Sequence, residues 1–305
     1  MRSSIRRLTT NTDGRASSKG RHALVPGLLW ITLFLVLPTF LFLPIAFTST
    51  NPYGLPALPI TMHAFREVMG FNFLGWSAAN LQIIFRSLWQ GLVTTVVCLV
   101  IAYPVAFFIA KSRDYIKPLL LVLLILPSWT NQVVRAYAWM ELLGPNTFIS
   151  HFAVALGWID QDMGLYPSAV AVFIGLVYSY LPYMVIPIFA SLDGLDWSLV
   201  EAASDLYAKP SRVFVYVILP QTLGGILVGV ILVLIPSFSN YIIPELMGGN
   251  KSLMLGNLIA GQFSTTPDWP YGAALSITMI FISFILLASI KLLTKSATMT
   301  SGAML

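Results

Sequence analysis

Long stretches without a single charge constrain this chain more than any other feature. Six segments are apolar and uncharged, or nearly so, over enough length to cross hydrocarbon: Val25 to Phe47, Ser87 to Ala110, Leu119 to about Met140, Gly164 to Leu192, Val213 to Pro244, and Trp269 to Ile290. A bilayer core of about 30 Å takes roughly 20 helical residues. Only helices and closed barrels satisfy every backbone group in lipid, and continuous apolar runs lack the alternation of a barrel strand. The expected fold is therefore an all-α integral membrane protein of about six transmembrane helices. Charged residues make up 10% of the chain, against about 25% in soluble domains. The third run is the weakest, because Arg135 interrupts it. The fourth and fifth exceed what one crossing needs, which leaves room for interfacial or re-entrant residues.

Basic residues set the orientation. With the N-terminus inside, the cytoplasmic side holds Arg2, Arg6, Arg7, Arg15, Lys19, Arg21, Lys111, Arg113, Lys117, Lys209, Arg212, Lys291 and Lys295, and the outer side only Arg66, Arg86, Arg135 and Lys251. That asymmetry puts both termini in the cytoplasm and accounts for the net charge of +5 without a nucleic-acid partner. The first run follows more than twenty residues of polar tail and lacks a small-x-small cleavage site near Phe47, so it reads as a retained helix rather than a signal peptide. Cys98 is the only cysteine, which excludes an internal disulfide.

The chain divides into a basic tail (1–24), a transmembrane domain (25–294) and a short C-terminal tail (295–305), with no soluble domain. The longest external loop runs from about Thr48 to Arg86, with a short helix expected around Met62 to Val68. Another, from Glu141 to about Met163, carries Asp160 and Asp162. The cytoplasmic loops are short except for 193–212.

That loop is a polar, helix-prone insert in a chain otherwise poor in charge. Leu199, Val200, Ala203 and Leu206 recur at three- and four-residue spacing and fall on one helix face. Asp196 is placed to cap the start, and Glu201 and Asp205 stand four apart on a neighbouring stripe. Spacing alone is equally satisfied by a plain surface helix linking two spans. The residues themselves say more. Glu201-Ala202-Ala203, then Val217-Ile218-Leu219-Pro220, resembles the EAA loop of ABC-importer permease subunits, whose pattern is Glu-Ala-Ala, three residues, Gly, nine residues, Ile-x-Leu-Pro. Val217 replaces the isoleucine. Tyr207 stands at the glycine position, where a glycine would allow a sharp helix-ending turn; the expectation is that the turn uses Lys209-Pro210 instead.

Leu126-Pro127-Ser128-Trp129-Thr130-Asn131, Arg135-Ala136-Tyr137-Ala138-Trp139, Glu245-Leu246-Met247-Gly248-Gly249 and Asp268-Trp269-Pro270-Tyr271-Gly272-Ala273-Ala274 narrow the resemblance to the spermidine/putrescine type. The scaffold is shared with importers of ferric iron, thiamine, sulfate and phosphonates, so the substrate stays open among these. The resemblance implies a type I ABC-importer permease-like bundle in a bacterial inner membrane. It also implies a heterodimer with a second homologous permease, two cytoplasmic ATPases holding ATP and Mg, and an external substrate-binding protein. No cofactor is expected on this chain. The implied ATPase-coupling residues are Glu201, Ala202, Ala203, Asp205, Leu206, Tyr207, Leu219 and Pro220.

A polyamine is best held by carboxylates and aromatic faces. The external helix ends offer Trp129, Asn131, Tyr241, Glu245, Asp268 and Trp269 as a substrate pathway, although interfacial aromatics also serve as membrane anchors. Glu245 is the sharpest of these, because it follows a 32-residue uncharged run and a carboxylate near hydrocarbon is costly unless functional or paired. Arg135 would repel a polycation, so pairing with Glu141 or Glu245 is expected of it. An enzyme reading finds no phosphate loop, and His22, His63 and His151 lack metal-ligand spacing. An ion-coupled secondary transporter would need acidic residues within its helices, and the runs contain none. Prolines at positions 38, 104, 127, 182, 187, 220 and 236 fall inside spans and are expected to bend them.

Overall fold

The computed structural model describes residues 25–302, apart from 73–74, 158–163, 250–251 and 266, and without the side chains of 72 and 293–302. The basic tail 1–24, Asp160, Asp162 and Lys251 lie outside the described residues, as does the Lys295 side chain. Helix α1 covers Val25–Ile45. A small hairpin follows, with β1 (Thr48–Thr50) antiparallel to β2 (Pro56–Ile60). Then come α2 (His63–Val68) and a two-residue ladder of β3 (Phe71–Asn72) with β4 (Gly75–Trp76). The short helix expected at Met62 to Val68 is present, whereas the strand pairs add a minor β element to the all-α expectation.

The remaining helices are α3 (Ala79–Lys111), α4 (Lys117–Trp129), α5 (Gln132–Leu142), α6 (Phe148–Ala155), α7 (Ala169–Asp193), α8 (Trp197–Asp205), α9 (Pro210–Ser239), α10 (Ile242–Met247), α11 (Leu255–Ser264) and α12 (Trp269–Gly302). Helix α12 continues past 294 into the segment read as a tail. Five helices (α1, α3, α7, α9 and α12) are long and apolar enough to cross a membrane, and α4 with α5 makes a sixth if counted together. The single span expected from Leu119 to Met140 is instead broken, because α4 and α5 meet at 89°. Thr130 and Asn131 leave the helical region (ψ 151° and 136°), and the Asn131 side chain accepts the Val133 N–H to start α5. A polar residue with a strong capping preference has ended one helix and begun another.

Helices α3, α7 and α9 form the centre. On α3 the inward stripe is Cys98, Ala102, Ala106 and Ala110, each buried and four residues from the last. It meets Met184, Val185 and Ile188 of α7 and Ile226 and Val233 of α9. Apolar burial drives little association inside lipid, so close packing of small residues carries it. A second cluster joins α5, α6, α7 and α10 through Ala136, Ala153, Leu176 and Met247. A third ties α2 and α12 together through Val68 and Leu275. The outer surface is apolar, with Leu35, Phe85, Val100, Phe281 and Phe284 all exposed, as lipid contact requires. Pro38 and Pro220 each follow a five-residue π-helical stretch, Thr32–Val36 and Phe214–Ile218; wider hydrogen-bond register accommodates the missing proline N–H.

Candidate functional site

Two regions, at opposite ends of the bundle, gather the polar residues singled out in the sequence. At one end, α8 is bracketed by two anchors. Asp193, the last residue of α7, accepts a 2.8 Å bond from Lys117 Nζ, which also pairs with Asp114 at 3.0 Å. Lys111 Nζ sits 4.6 Å above the ring of Trp197, the first residue of α8, and the Phe107 and Trp197 rings meet edge to face at 6.1 Å. The ends of α3 and α4 thus hold the start of α8 through charge and cation–π contacts.

Within α8, Asp196 caps the helix by accepting the Ser198 N–H at 3.0 Å. The hydrogen bonds from Ser198 hold the Asp196 carboxyl below the usual carboxylate range. The stripe expected from spacing divides. Val200 and Ala203 are half-buried toward the bundle, while Leu199 and Leu206 are exposed, because a nine-residue helix lying on the bundle end turns only part of its surface inward. No residue of α8 is fully buried. Glu201, Ala202 and Asp205 face outward with Leu206 and Tyr207. Leu219 and Pro220 lie in α9, where Leu219 packs against the central cluster.

Tyr207 departs from expectation. The turn is made at the tyrosine itself, with φ at +57°, the only positive φ at a non-glycine among the described residues. The Ala208 N–H donates to the Ala203 carbonyl at 3.3 Å and the Tyr207 N–H to the Ser204 carbonyl at 2.9 Å. Those two bonds are a Schellman closure. Lys209-Pro210 instead begins α9, with Pro210 at its first position. Left-handed backbone costs a side-chain-bearing residue about 1–2 kcal/mol, and Tyr207 recovers nothing from packing because it is 97% exposed. Tyr207→Gly is expected to stabilise the loop by about 0.5–1 kcal/mol, since glycine's looser unfolded chain offsets part of the gain. Slower amide exchange over residues 203–209 in detergent would register it; faster exchange would contradict it.

At the other end, a cavity of about 360 Å³ opens between α10 and α11. Tyr241 and Glu245 line it together with Asn257, Gln262, Ser264 and Thr265. Asn257 Nδ2 donates to Glu245 Oε2 at 2.6 Å and to the Tyr241 carbonyl at 2.9 Å. Asn257 was not anticipated. Its signal is a stripe of small and polar residues, Asn257, Gly261, Ser264 and Thr265, at helical spacing in an otherwise apolar segment.

The other residues placed on the substrate pathway lie apart from this cavity. Asn131 caps α5, and Trp129 is largely exposed at the end of α4. Asp268 accepts from the Thr50 hydroxyl at 2.8 Å and from the Tyr271 N–H at 3.1 Å, tying the β1–β2 hairpin to the start of α12. Its negative charge also contributes, after burial, to pushing the Glu67 carboxyl above its ordinary range, against the opposing pull of His63. The Trp269 ring packs edge to face on Phe263, and its backbone N–H donates to the Gly54 carbonyl. Arg135 pairs with neither Glu141 nor Glu245. Its guanidinium lies 5.9 Å from the Tyr178 ring centroid, and Glu245 is engaged by Asn257.

Similarity to known proteins agrees with this architecture. The chain is 36% identical over 258 residues to the spermidine/putrescine transport system permease protein PotB of Salmonella typhimurium (strain SL1344), covering 85% of this chain and 88% of that one. It is 36% identical to PotB of Escherichia coli (strain K12), covering 85% and 91%. A crystal structure of a bacterial ABC transporter involved in the import of the acidic polysaccharide alginate shares the fold with a TM-score of 0.70 at 15% identity, over 93% of this chain and 97% of that one. Residues 72–298 match the family described as binding-protein-dependent transport system inner membrane component, and the chain belongs to that family.

Proposed function

We propose that this chain is one of two permeases in an ATP-driven polyamine importer, passing spermidine or putrescine from an external binding protein to the cytoplasm by alternating access. The carrying observation is α8. It is an acidic-faced helix anchored to the bundle at its start by Lys117–Asp193 and Lys111–Trp197, with Glu201, Asp205 and Leu206 left uncovered. In this reading the α8 end and both termini are cytoplasmic, and ATP and Mg are held by the ATPases that dock on α8. The positive-inside distribution supports that orientation.

The substrate class rests on two supports: the PotB relatives, and a cavity whose only charged lining residue among the described residues is Glu245. Two unit charges at 4 Å attract by about 4 kcal/mol at an effective dielectric near 20, enough to matter to a solute that is all ammonium groups and methylenes. Reconstitution of this chain with its sister permease, ATPases and binding protein in vesicles tests the assignment. ATP-dependent spermidine uptake is expected, and Glu245→Gln is expected to reduce it at least tenfold with the complex intact, equivalent to about 1.4 kcal/mol. Uptake of ferric iron or an anion, with none of polyamine, would reject the substrate class.

A further inference from the structure

The α10–α11 cavity has a feature that the permease reading does not require. Asn257 is 5% exposed, and its amide orientation is fixed because both of its Nδ2 partners, Glu245 Oε2 and the Tyr241 carbonyl, are acceptors. A flipped amide would set oxygen against oxygen. Its Oδ1 is therefore left shielded from water and without a donor. The carboxylate of Glu245 receives no ion pair from the described residues. The wall thus presents a carboxylate held by Asn257 and free of any described ion pair, in a volume of about 360 Å³ that falls in the small-molecule range of roughly 300–1,000 Å³.

We infer that this cavity is a subsite for the primary ammonium end of a cationic solute, with Asn257 the positioning residue that holds the Glu245 carboxylate. The inference rests on the importer reading above. A primary ammonium carries one positive charge and three N–H donors. It answers the carboxylate by charge and the carboxylate's remaining lone pairs by hydrogen bonding, with the half-exposed Tyr241 as an adjoining wall. A metal cation fits less well, because Glu245 is the only anionic ligand among the described residues and hard divalent ions seek about six or more oxygens. A fully methylated ammonium keeps the charge but brings no donor, and sites built to hydrogen-bond a ligand discriminate strongly against analogues lacking the donor.

The test uses the assembled permease–ATPase complex in lipid nanodiscs without the binding protein. Radiolabelled putrescine and its bis(trimethylammonium) analogue are the probes. Wild type is expected to bind putrescine at least tenfold more tightly than the analogue, and Asn257→Leu to bind both equally, within about twofold. A merely structural role for Asn257 would weaken both ligands together and preserve the preference. Equal affinities in wild type, a preference retained in Asn257→Leu, or no saturable binding of either amine would each overturn the subsite. The wild-type comparison stands even if the variant fails to assemble. If vesicles still import putrescine after such a result, the importer reading survives without the subsite; if they import no amine, both fall.

Discussion

Ala203→Pro is expected to abolish ATP-coupled transport while leaving the chain inserted in the membrane. Ala203 lies inside a nine-residue helix, and its carbonyl accepts the Ala208 N–H that closes the turn. Proline there deletes an intrahelical donor and drives its ring into the carbonyl of Leu199, a cost of about 3 kcal/mol. A helix this short has little stability of its own in water, and only Trp197, Val200 and Ala203 hold it against the bundle. Helix α8 should therefore unravel, and with it the acidic and apolar surface on which the proposed ATPase docking depends. The spans pair their backbone groups within themselves, and the buried centre of α3, α7 and α9 keeps its packing. Co-purification of the ATPases and solute-stimulated ATP hydrolysis are the measurements, with Glu201→Lys as the partner variant that reverses charge and leaves the helix folded. Full assembly and normal stimulated hydrolysis in Ala203→Pro would remove α8 from the coupling role.

The spans were legible because lipid forces backbone groups to pair within the segment, so length without charge is nearly sufficient to locate a crossing. That logic fails where a polar residue offers the backbone another partner. Thr130-Asn131 breaks the third run at 89° because the Asn131 side chain replaces a helical carbonyl as acceptor, a choice that an averaged hydropathy does not register. The EAA-like insert was legible as a helix with its Asp196 cap. Its turn was not, since an exposed tyrosine at φ +57° contradicts local preference and is held by the hydrogen bonds of the closure. Asn257 escaped notice for a different reason. Its importance comes from α10 folding back toward α11, a contact twelve residues from Glu245 that no periodicity announces. The expected pairing of Arg135 failed on the same ground: in space its guanidinium lies beside the Tyr178 ring, and it pairs with neither Glu141 nor Glu245.

Gly225 carries the other large effect, because α9 packs there directly against the backbone of α7. A Cβ at that position would lie 2.3 Å from the Pro187 carbonyl oxygen and 2.4 Å from Ser191 Oγ. The serine hydroxyl can rotate away; the backbone carbonyl cannot. Relief requires the helices to separate, and separation opens the contact on which Met184, Ile188 and Ile226 are buried. Gly225→Val is therefore expected to cost more than the roughly 1–3 kcal/mol of ordinary overpacking. Small residues at helix crossings are the main source of association in lipid, where apolar burial gives little. The adjacent Gly224 supplies the control, since a Cβ there meets nothing within 4 Å. Gly224→Ala should be neutral or stabilising by up to about 1 kcal/mol, through helix propensity alone. Thermal unfolding of the two variants in detergent separates the cases: a fall in midpoint of many degrees, or loss of folded protein, for Gly225→Val, with Gly224→Ala at or above wild type. Equal midpoints would mean that α7 and α9 do not approach through Gly225, and the central packing of α3, α7 and α9 would need to be redrawn around a different contact.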